Sequence, residues 1–291
     1  MARLPIKHDI SCEVQDLPRI PLQNDSAFEF DGEKYKTASK HQKEWGSKII
    51  SELKLNGGEH ILDMGCGDGI LTDQLAELVP DGLVLGIDAS QGMINSAKKL
   101  TKTNLLFKLI DITKIGFENE FDLIFSNATL HWIKNHNDLL RKCYSALKAN
   151  GTIRFNFAGD GNCSQFIKVV REVMQSQPYA QYFRNFDWPW FMPTVEHYQD
   201  LMRKTEFRDQ RVWEENADRH FTTQEEITNW IEQPSIIPFI RNITNDRTKK
   251  EFTENVVTKM IHETRKDNNT FFETFRRINV IAKKYDQSVV P

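Results

Sequence analysis

The sequence has no long hydrophobic run. No stretch approaches the roughly 20 apolar residues that span a bilayer, and nothing near the N-terminus forms the apolar centre of a signal peptide, so neither a membrane partner nor secretion is expected. Neither charge is in large excess: 38 Lys and Arg against 41 Asp and Glu leave a formal charge of −3. The basic field that favours long nucleic acids is therefore missing, and no nucleic-acid partner is expected. Cysteine is scarce, with Cys12, Cys66, Cys143 and Cys163 scattered and no CxxC pair among them. No histidine stands at zinc-ligand spacing, so no metal site is expected, and reduced thiols in a cytoplasmic protein are the simplest reading. There is also no internal repeat and no low-complexity tract. What is present is ordinary for a globular chain of 291 residues, 39% hydrophobic and 27% charged. That length holds one large α/β domain with an insertion, or a domain with a small companion.

Residues 1–34 read as an arm, with Pro18 and Pro21 and little periodicity. A helical pattern from Tyr35 to about Leu53 puts Trp45, Ile49, Ile50 and Leu53 on one face, and Gly57-Gly58 ends it. Strands and helices then alternate: strands are predicted at His60–Gly65, Leu83–Asp88, Leu105–Ile112, Phe121–Ser126 and Gly151–Phe157, and helices at Ile70–Leu78, Ser90–Leu100 and Asn137–Leu147. Short apolar strands separated by helices predict a parallel sheet with helices on both faces. Beyond about residue 160 the pattern changes. The stretch 178–193 is dense in aromatics and carries Pro178, Pro189 and Pro193. Helices at Thr194–Lys204, Thr223–Ile231 and Arg247–Arg265 follow, with strands around Gln210–Trp213 and at Phe271–Ala282. The division expected is therefore an arm at 1–34, a core at 35–160, and at 161–291 a helical and aromatic cap with strands that complete the sheet. The arm and the aromatic stretch are expected to gate the site.

The densest motif is Asp63-Met-Gly65-Cys66-Gly67-Asp-Gly69, which closes a strand and opens a helix. Its glycines permit a tight turn and let a ligand lie on bare backbone at a helix N-terminus. The spacing is D-x-G-x-G-x-G and not the G-x-G-x-x-G of dinucleotide enzymes, and the acid comes first, where it would face a positive amino group. Asp88 ends the next strand, where a carboxylate takes both hydroxyls of a ribose; Asp111 ends the third, with Ile112 beside it, placed to receive an adenine amino group. Each acid alone reads as a helix N-cap or a turn residue. Three of them at three consecutive strand ends, with the glycines, line the carboxyl edge at which open α/β sheets bind ligands.

This arrangement resembles the class I methyltransferases that use S-adenosyl-L-methionine, over roughly residues 35–160. The resemblance implies a Rossmann-like, seven-stranded, mostly parallel sheet. It implies that Asp63 holds the methionine amino group, Asp88 the ribose and Asp111 with Ile112 the adenine. The same cofactor set takes in Gly65, Cys66, Gly67 and Gly69 of the loop, Ala89 and Met93 after the second strand, and Asn127 and Ala128 after the fourth. The pattern Tyr35-x3-Ser39-x2-Gln42 is similar to the helix that folds over the cofactor in juvenile hormone acid methyltransferases, which adds Tyr35 and Gln42.

The fourth strand runs into Phe125-Ser-Asn-Ala-Thr-Leu-His131-Trp132-Ile. The Asp/Asn-Pro-Pro-aromatic motif of adenine-amine and glutamine-amide methyltransferases is absent there, and Ser126-Asn127-Ala128 offers no carboxylate cluster of the catechol type. A hydrophobic-(His/Gln)-Trp motif at this point resembles the trans-aconitate, juvenile hormone acid and malonyl-carrier-protein carboxyl methyltransferases. More loosely, the C-terminal half resembles trans-aconitate methyltransferase in helix order and final strand. The expected activity is O-methylation of a small or carrier-bound carboxylic acid, with His131 and Trp132 as candidate catalytic residues. The alternatives are methylation of another small metabolite with His131 as base, and a scaffold that binds the cofactor without turnover. His131 reads equally as an acceptor contact or as packing beneath Trp132. Arg276 and Arg277 are candidates for a distal carboxylate; adjacent on a strand, they point to opposite faces, so at most one faces the site.

Overall fold

A computed structural model describes residues 40–285. The helix α1 (Lys40–Ser51) precedes a strand and helix alternation: β1 (His60–Met64), α2 (Ile70–Leu78), β2 (Leu83–Asp88), α3 (Gln91–Ala97), β3 (Leu105–Leu109), β4 (Phe121–Asn127), α4 (His136–Ala146) and β5 (Leu147–Ala158). After it come α5 (Ser164–Gln175), α6 (Val195–Arg203), β6 (Arg208–Asn216), β7 (Arg219–Phe221), α7 (Gln224–Trp230), α8 (Ile237–Ile240), α9 (Asp246–Thr264), β8 (Phe271–Glu273) and β9 (Arg276–Lys283). The main sheet has seven strands in the order β3-β2-β1-β4-β5-β9-β6. β1 to β5 are mutually parallel, and β9 runs antiparallel to both β5 and β6. This is the Rossmann-like sheet expected.

Strands covered on both faces need apolar residues at successive positions, and β1 shows it: Ile61, Leu62 and Met64 are fully buried. One core lies between the sheet and α4 and α6, around Phe155, Phe157, Leu140 and Tyr198; a second lies on the opposite face under α1, α2 and α3, around Ile61, Leu75 and Phe125. A third sits under the cap, where Phe166, Trp230, Phe239, Phe252 and Phe275 pack together. No helix among the described residues is long and apolar enough to cross a membrane.

Three local expectations need correction. The final strand is broken in two: β8 pairs with β7 in a separate two-stranded sheet, and β9 alone enters the main sheet. The break falls where Glu273 turns fully inward. Its carboxylate accepts hydrogen bonds from the backbone N–H groups of Gln165 (3.2 Å) and Phe166 (2.8 Å) at the start of α5. Such first-turn N–H groups have no partner within a helix, so a buried carboxylate is well used there. The helix α5 itself was not foreseen. Its Phe166, Val169, Val170, Val173 and Met174 are buried at the spacing of one helical face, a signal present in the sequence. The third strand stops at Leu109, so Asp111 lies beyond its end and caps a short 3-10 turn, Ile112–Lys114.

Candidate active site

The sheet order reverses between β1 and β4, and ligands of open α/β sheets bind outside the strand ends at such a point. A cavity of about 320 Å³ lies there. The glycine loop forms its floor. Backbone N–H groups of Gly65 and Cys66 donate to Ile87 O at 2.8 and 3.0 Å, which folds the chain back against β2. Gly65, Gly67 and Gly69 all take positive φ, but for different reasons. A Cβ at Gly65 would meet the Thr129 side chain at 2.2 Å, and one at Gly69 would meet Phe107 at 2.7 Å. At Gly67 a Cβ would meet nothing within 4 Å, and this residue borders the cavity. A side chain there would occupy the space left for a ligand.

The three acids differ in surroundings. Asp88 borders the cavity; its carboxylate accepts from Gly67 N at 3.0 Å and Ser90 N at 2.9 Å, which aims it along the loop. Asp111 also borders the cavity while accepting from the backbone N–H (2.8 Å) and hydroxyl (2.8 Å) of Thr113. Here the capping role and the site position coexist. Asp63 is 2% exposed and lies behind the loop, off the cavity wall. It accepts from the Thr72 hydroxyl at 2.7 Å, and burial, reinforced by the Asp88 charge, raises its carboxyl to about 7. An acid this well shielded reaches a ligand only through intervening atoms.

Helix α1 closes one side. Lys43 forms an ion pair with Asp68 of the loop at 2.7 Å, and Asn127 Nδ2 donates to Gln42 O at 2.9 Å. Gln42 and Trp45 of this helix border the cavity. Met93, Ala89, Ile112 and Ala128 complete the side nearest β2 and β3.

The other side is built by β5, β9, the turn after β4 and the cap. Trp45, Phe166, Trp190, Trp230 and Phe275 form its walls, with Trp132 edge-on to Trp190 at 5.7 Å. Arg277 borders this half although only 4% exposed. Its Nε and Nη2 donate to Asn156 Oδ1 at 2.8 and 2.7 Å, and its guanidinium stacks over Trp45 at 5.0 Å. Arg276 turns the other way and pairs with Asp218. His131 borders the cavity too. Burial, then the nearby Arg277 and His136, hold its imidazole well below the ordinary histidine range, so it is neutral near pH 7. Its Nδ1 is buried with no hydrogen-bond partner.

Of the residues expected at the site, the cavity brings together Gln42, Gly65, Gly67, Asp88, Ala89, Met93, Asp111, Ile112, Ala128, His131 and Trp132. Asp63, Cys66, Gly69 and Asn127 stand behind this wall. Cys66 is a buried thiol, pushed up by burial, and Gly69 caps α2 in the left-handed conformation. Tyr35 and the arm lie outside the described residues. Trp190 comes from the aromatic stretch expected beside the site; sequence reasoning missed Trp45, Phe166, Trp230 and Phe275 as cavity walls, each of which reads as core from its local pattern.

The donor set fits S-adenosylmethionine. Two carboxylates border one half of the cavity, Gly67 is open where a ligand needs bare backbone, and the buried Gln42 Oε1 has no partner. Residues 62–155 match the family model described as a methyltransferase domain. The chain is 25% identical over 265 residues to a trans-aconitate 2-methyltransferase of Mycobacterium tuberculosis, covering 87% of this chain and 96% of that one. It is 33% identical over 138 residues to a malonyl-[acyl-carrier protein] O-methyltransferase of Priestia megaterium, covering 46% and 50% of the two chains. In structure it is similar to phosphoethanolamine N-methyltransferase 2 of Haemonchus contortus in complex with S-adenosyl-L-methionine: TM-score 0.56, 19% identity, 88% of this chain and 57% of that one. The YcgJ protein of Bacillus subtilis shares the fold over 84% of this chain and 99% of its own, with TM-score 0.58 and 14% identity. The chain is a class I methyltransferase. Its cofactor is S-adenosyl-L-methionine.

Proposed function

We propose that this methyltransferase esterifies the carboxylate of a small or carrier-bound organic acid. The observation that carries the reading is the charge of the cavity half opposite the cofactor acids. Among the described residues bordering it, Arg277 is the one charged side chain. β2, which ends in Asp88, and β9, which carries Arg277, are separated by β1, β4 and β5. Four inter-strand steps of about 4.8 Å put the two strands on the order of 19 Å apart along the sheet edge. An anion is thus favoured at the Arg277 end and a cationic or polyhydroxy group at the other.

The cofactor supplies a methyl group made electrophilic by the sulfonium that carries it. In this reading Asp88 takes the ribose hydroxyls and Asp111 with Ile112 the adenine. The Gly67 backbone lies against the cofactor, and Asp63 acts from behind the loop. Gln42 and Trp45 cover the cofactor from α1. Arg277, fixed by Asn156, holds the acid so that one oxygen stays in line with the methyl group. The aromatic walls exclude water, which favours a step in which opposite charges cancel. A carboxylate is already ionised near neutral pH and needs no base. An alcohol or ammonium acceptor does need one, and His131, with its affinity for protons suppressed by burial and Arg277, is poorly suited to that task. The carboxyl chemistry named for the Mycobacterium and Priestia relatives supports the same choice.

The test is turnover of a panel of acids, amines and alcohols by the full chain, read as demethylated cofactor formed and as ester, amine or ether product. The expected product is an ester, with kcat flat between about pH 6 and 9. Turnover of amines or alcohols alone, with a rate that climbs with pH, would overturn the proposal.

A further inference from the structure

The cavity half around Arg277 holds a second polar feature that the reading above leaves unused. The indole Nε1 of Trp190 is buried and has no hydrogen-bond partner, although Trp190 borders the cavity. A buried N–H without an acceptor is disfavoured, and native structures keep few of them. This one is not a product of loose packing. The Trp190 ring is wedged against Trp132, Trp188 and Phe239, with centroids 5.7, 5.6 and 5.6 Å away. The strap carrying it is fixed to the turn after β4, where Phe191 N donates to His131 O at 2.8 Å. Against Trp132, with ring centroids 5.4 Å apart, lies His131, whose Nδ1 is buried and equally without a partner. Two unanswered polar nitrogens in one rigid aromatic wall point to a ligand that answers them.

We propose that Trp190 is a specificity-determining contact: its indole N–H donates to an oxygen of the methyl acceptor, next to the place where His131 meets the same molecule. The proposal rests on the acid-acceptor reading, and adds to it the residue that tests for a lone pair. An indole N–H donates and never accepts. It therefore welcomes a carboxylate oxygen and rejects an ammonium group, which has only hydrogens to offer. Arg277, fixed by Asn156, supplies the charge and one oriented contact, whereas Trp190, held by three ring contacts, fixes a further oxygen along the wall.

The experiment uses the full chain loaded with S-adenosylhomocysteine and labelled with nitrogen-15. Octanoate, cinnamate and trans-aconitate are titrated in, with octylamine and octanol as controls, and the indole signals are followed by NMR. Trp190→Phe, which keeps an aromatic ring and removes the N–H, assigns the signal. The expected result is a downfield move of the Trp190 indole proton with any acid that is turned over, and none with octylamine. In the Trp190→Phe variant, KM for that acid rises roughly tenfold, while affinity for S-adenosylhomocysteine and Tm stay unchanged. Turnover of an acid with a still indole signal and an unchanged KM in Trp190→Phe would overturn this proposal and leave the acid reading standing. Turnover of octylamine or octanol alone would overturn the acid reading, and failure of every compound to bind or react would remove both.

Discussion

Replacing Asp63 by asparagine isolates what its burial costs the protein. The wild-type carboxyl is 2% exposed and raised to about 7, chiefly by desolvation, and it accepts a hydrogen bond from the Thr72 hydroxyl. In the unfolded chain it titrates near 3.9. Between about pH 4 and 7 the folded state therefore keeps a proton that the unfolded state has released, and stability falls as pH rises through this window. A displacement of about three pH units sets a ceiling of roughly 4 kcal/mol, reached above about pH 7. Asparagine has the same shape, still accepts from Thr72, and carries no charge. Its stability relative to wild type should therefore climb from about pH 4 and level off above about pH 7. The gain should stay below the ceiling, because the new amide N–H groups also need partners. Absolute profiles are confounded by buried His131 and His136, whose lowered values make stability rise with pH. The assay is thus urea denaturation of both proteins across the pH range, with the difference plotted. A difference that does not change with pH would refute the reasoning, because the carboxyl would then titrate alike in both states.

Other expectations follow from the site. Asp88→Ala should weaken S-adenosylmethionine binding by about one to two decades in calorimetric titration, the value of losing a charge-assisted contact of 1.5–3 kcal/mol; unchanged affinity would remove Asp88 from the ribose. Gly67→Val should abolish cofactor binding, since its side chain would fill the open space beside the loop. The apo protein should lose only the 1–2 kcal/mol, roughly, of a left-handed non-glycine residue, read from its Tm. Arg277→Met should raise KM for the acid about tenfold or more with cofactor affinity unchanged. It should also lower Tm, because Asn156 loses the donors that satisfy its buried carbonyl. Arg276→Met, which loses a partly exposed ion pair with Asp218, should leave KM as it is; equal effects of the two would contradict the inward placement of Arg277 alone.

Much of this protein is written locally. The glycine loop, the acids at the end of β2 and just beyond β3, and the strand and helix alternation through residue 158 all follow from short-range rules. Turn geometry demands glycine, parallel strands demand runs of apolar residues, and sheet edges collect polar ligands' partners. Local pattern also states that Arg276 and Arg277 face opposite ways. It does not say which one faces the cavity, because that depends on β9 entering the sheet antiparallel between β5 and β6. The split of the last strand was likewise invisible, since its cause is Glu273 reaching residues more than a hundred positions earlier. The same holds for the glycines: Gly65 is required by Thr129 and Gly69 by Phe107, both distant in sequence, while a Cβ at Gly67 would meet nothing and only open cavity lies beside it. Aromatic residues carry the least local information. Trp45, Trp190 and Trp230 have the composition of a core, and only the convergence of α1, the 188–192 strap and α7 makes them the wall of a cavity. Sequence settled the cofactor, because the motif that announces it is made of backbone turns and strand ends; the chamber beside that motif is decided by side chains that meet only after the chain has folded.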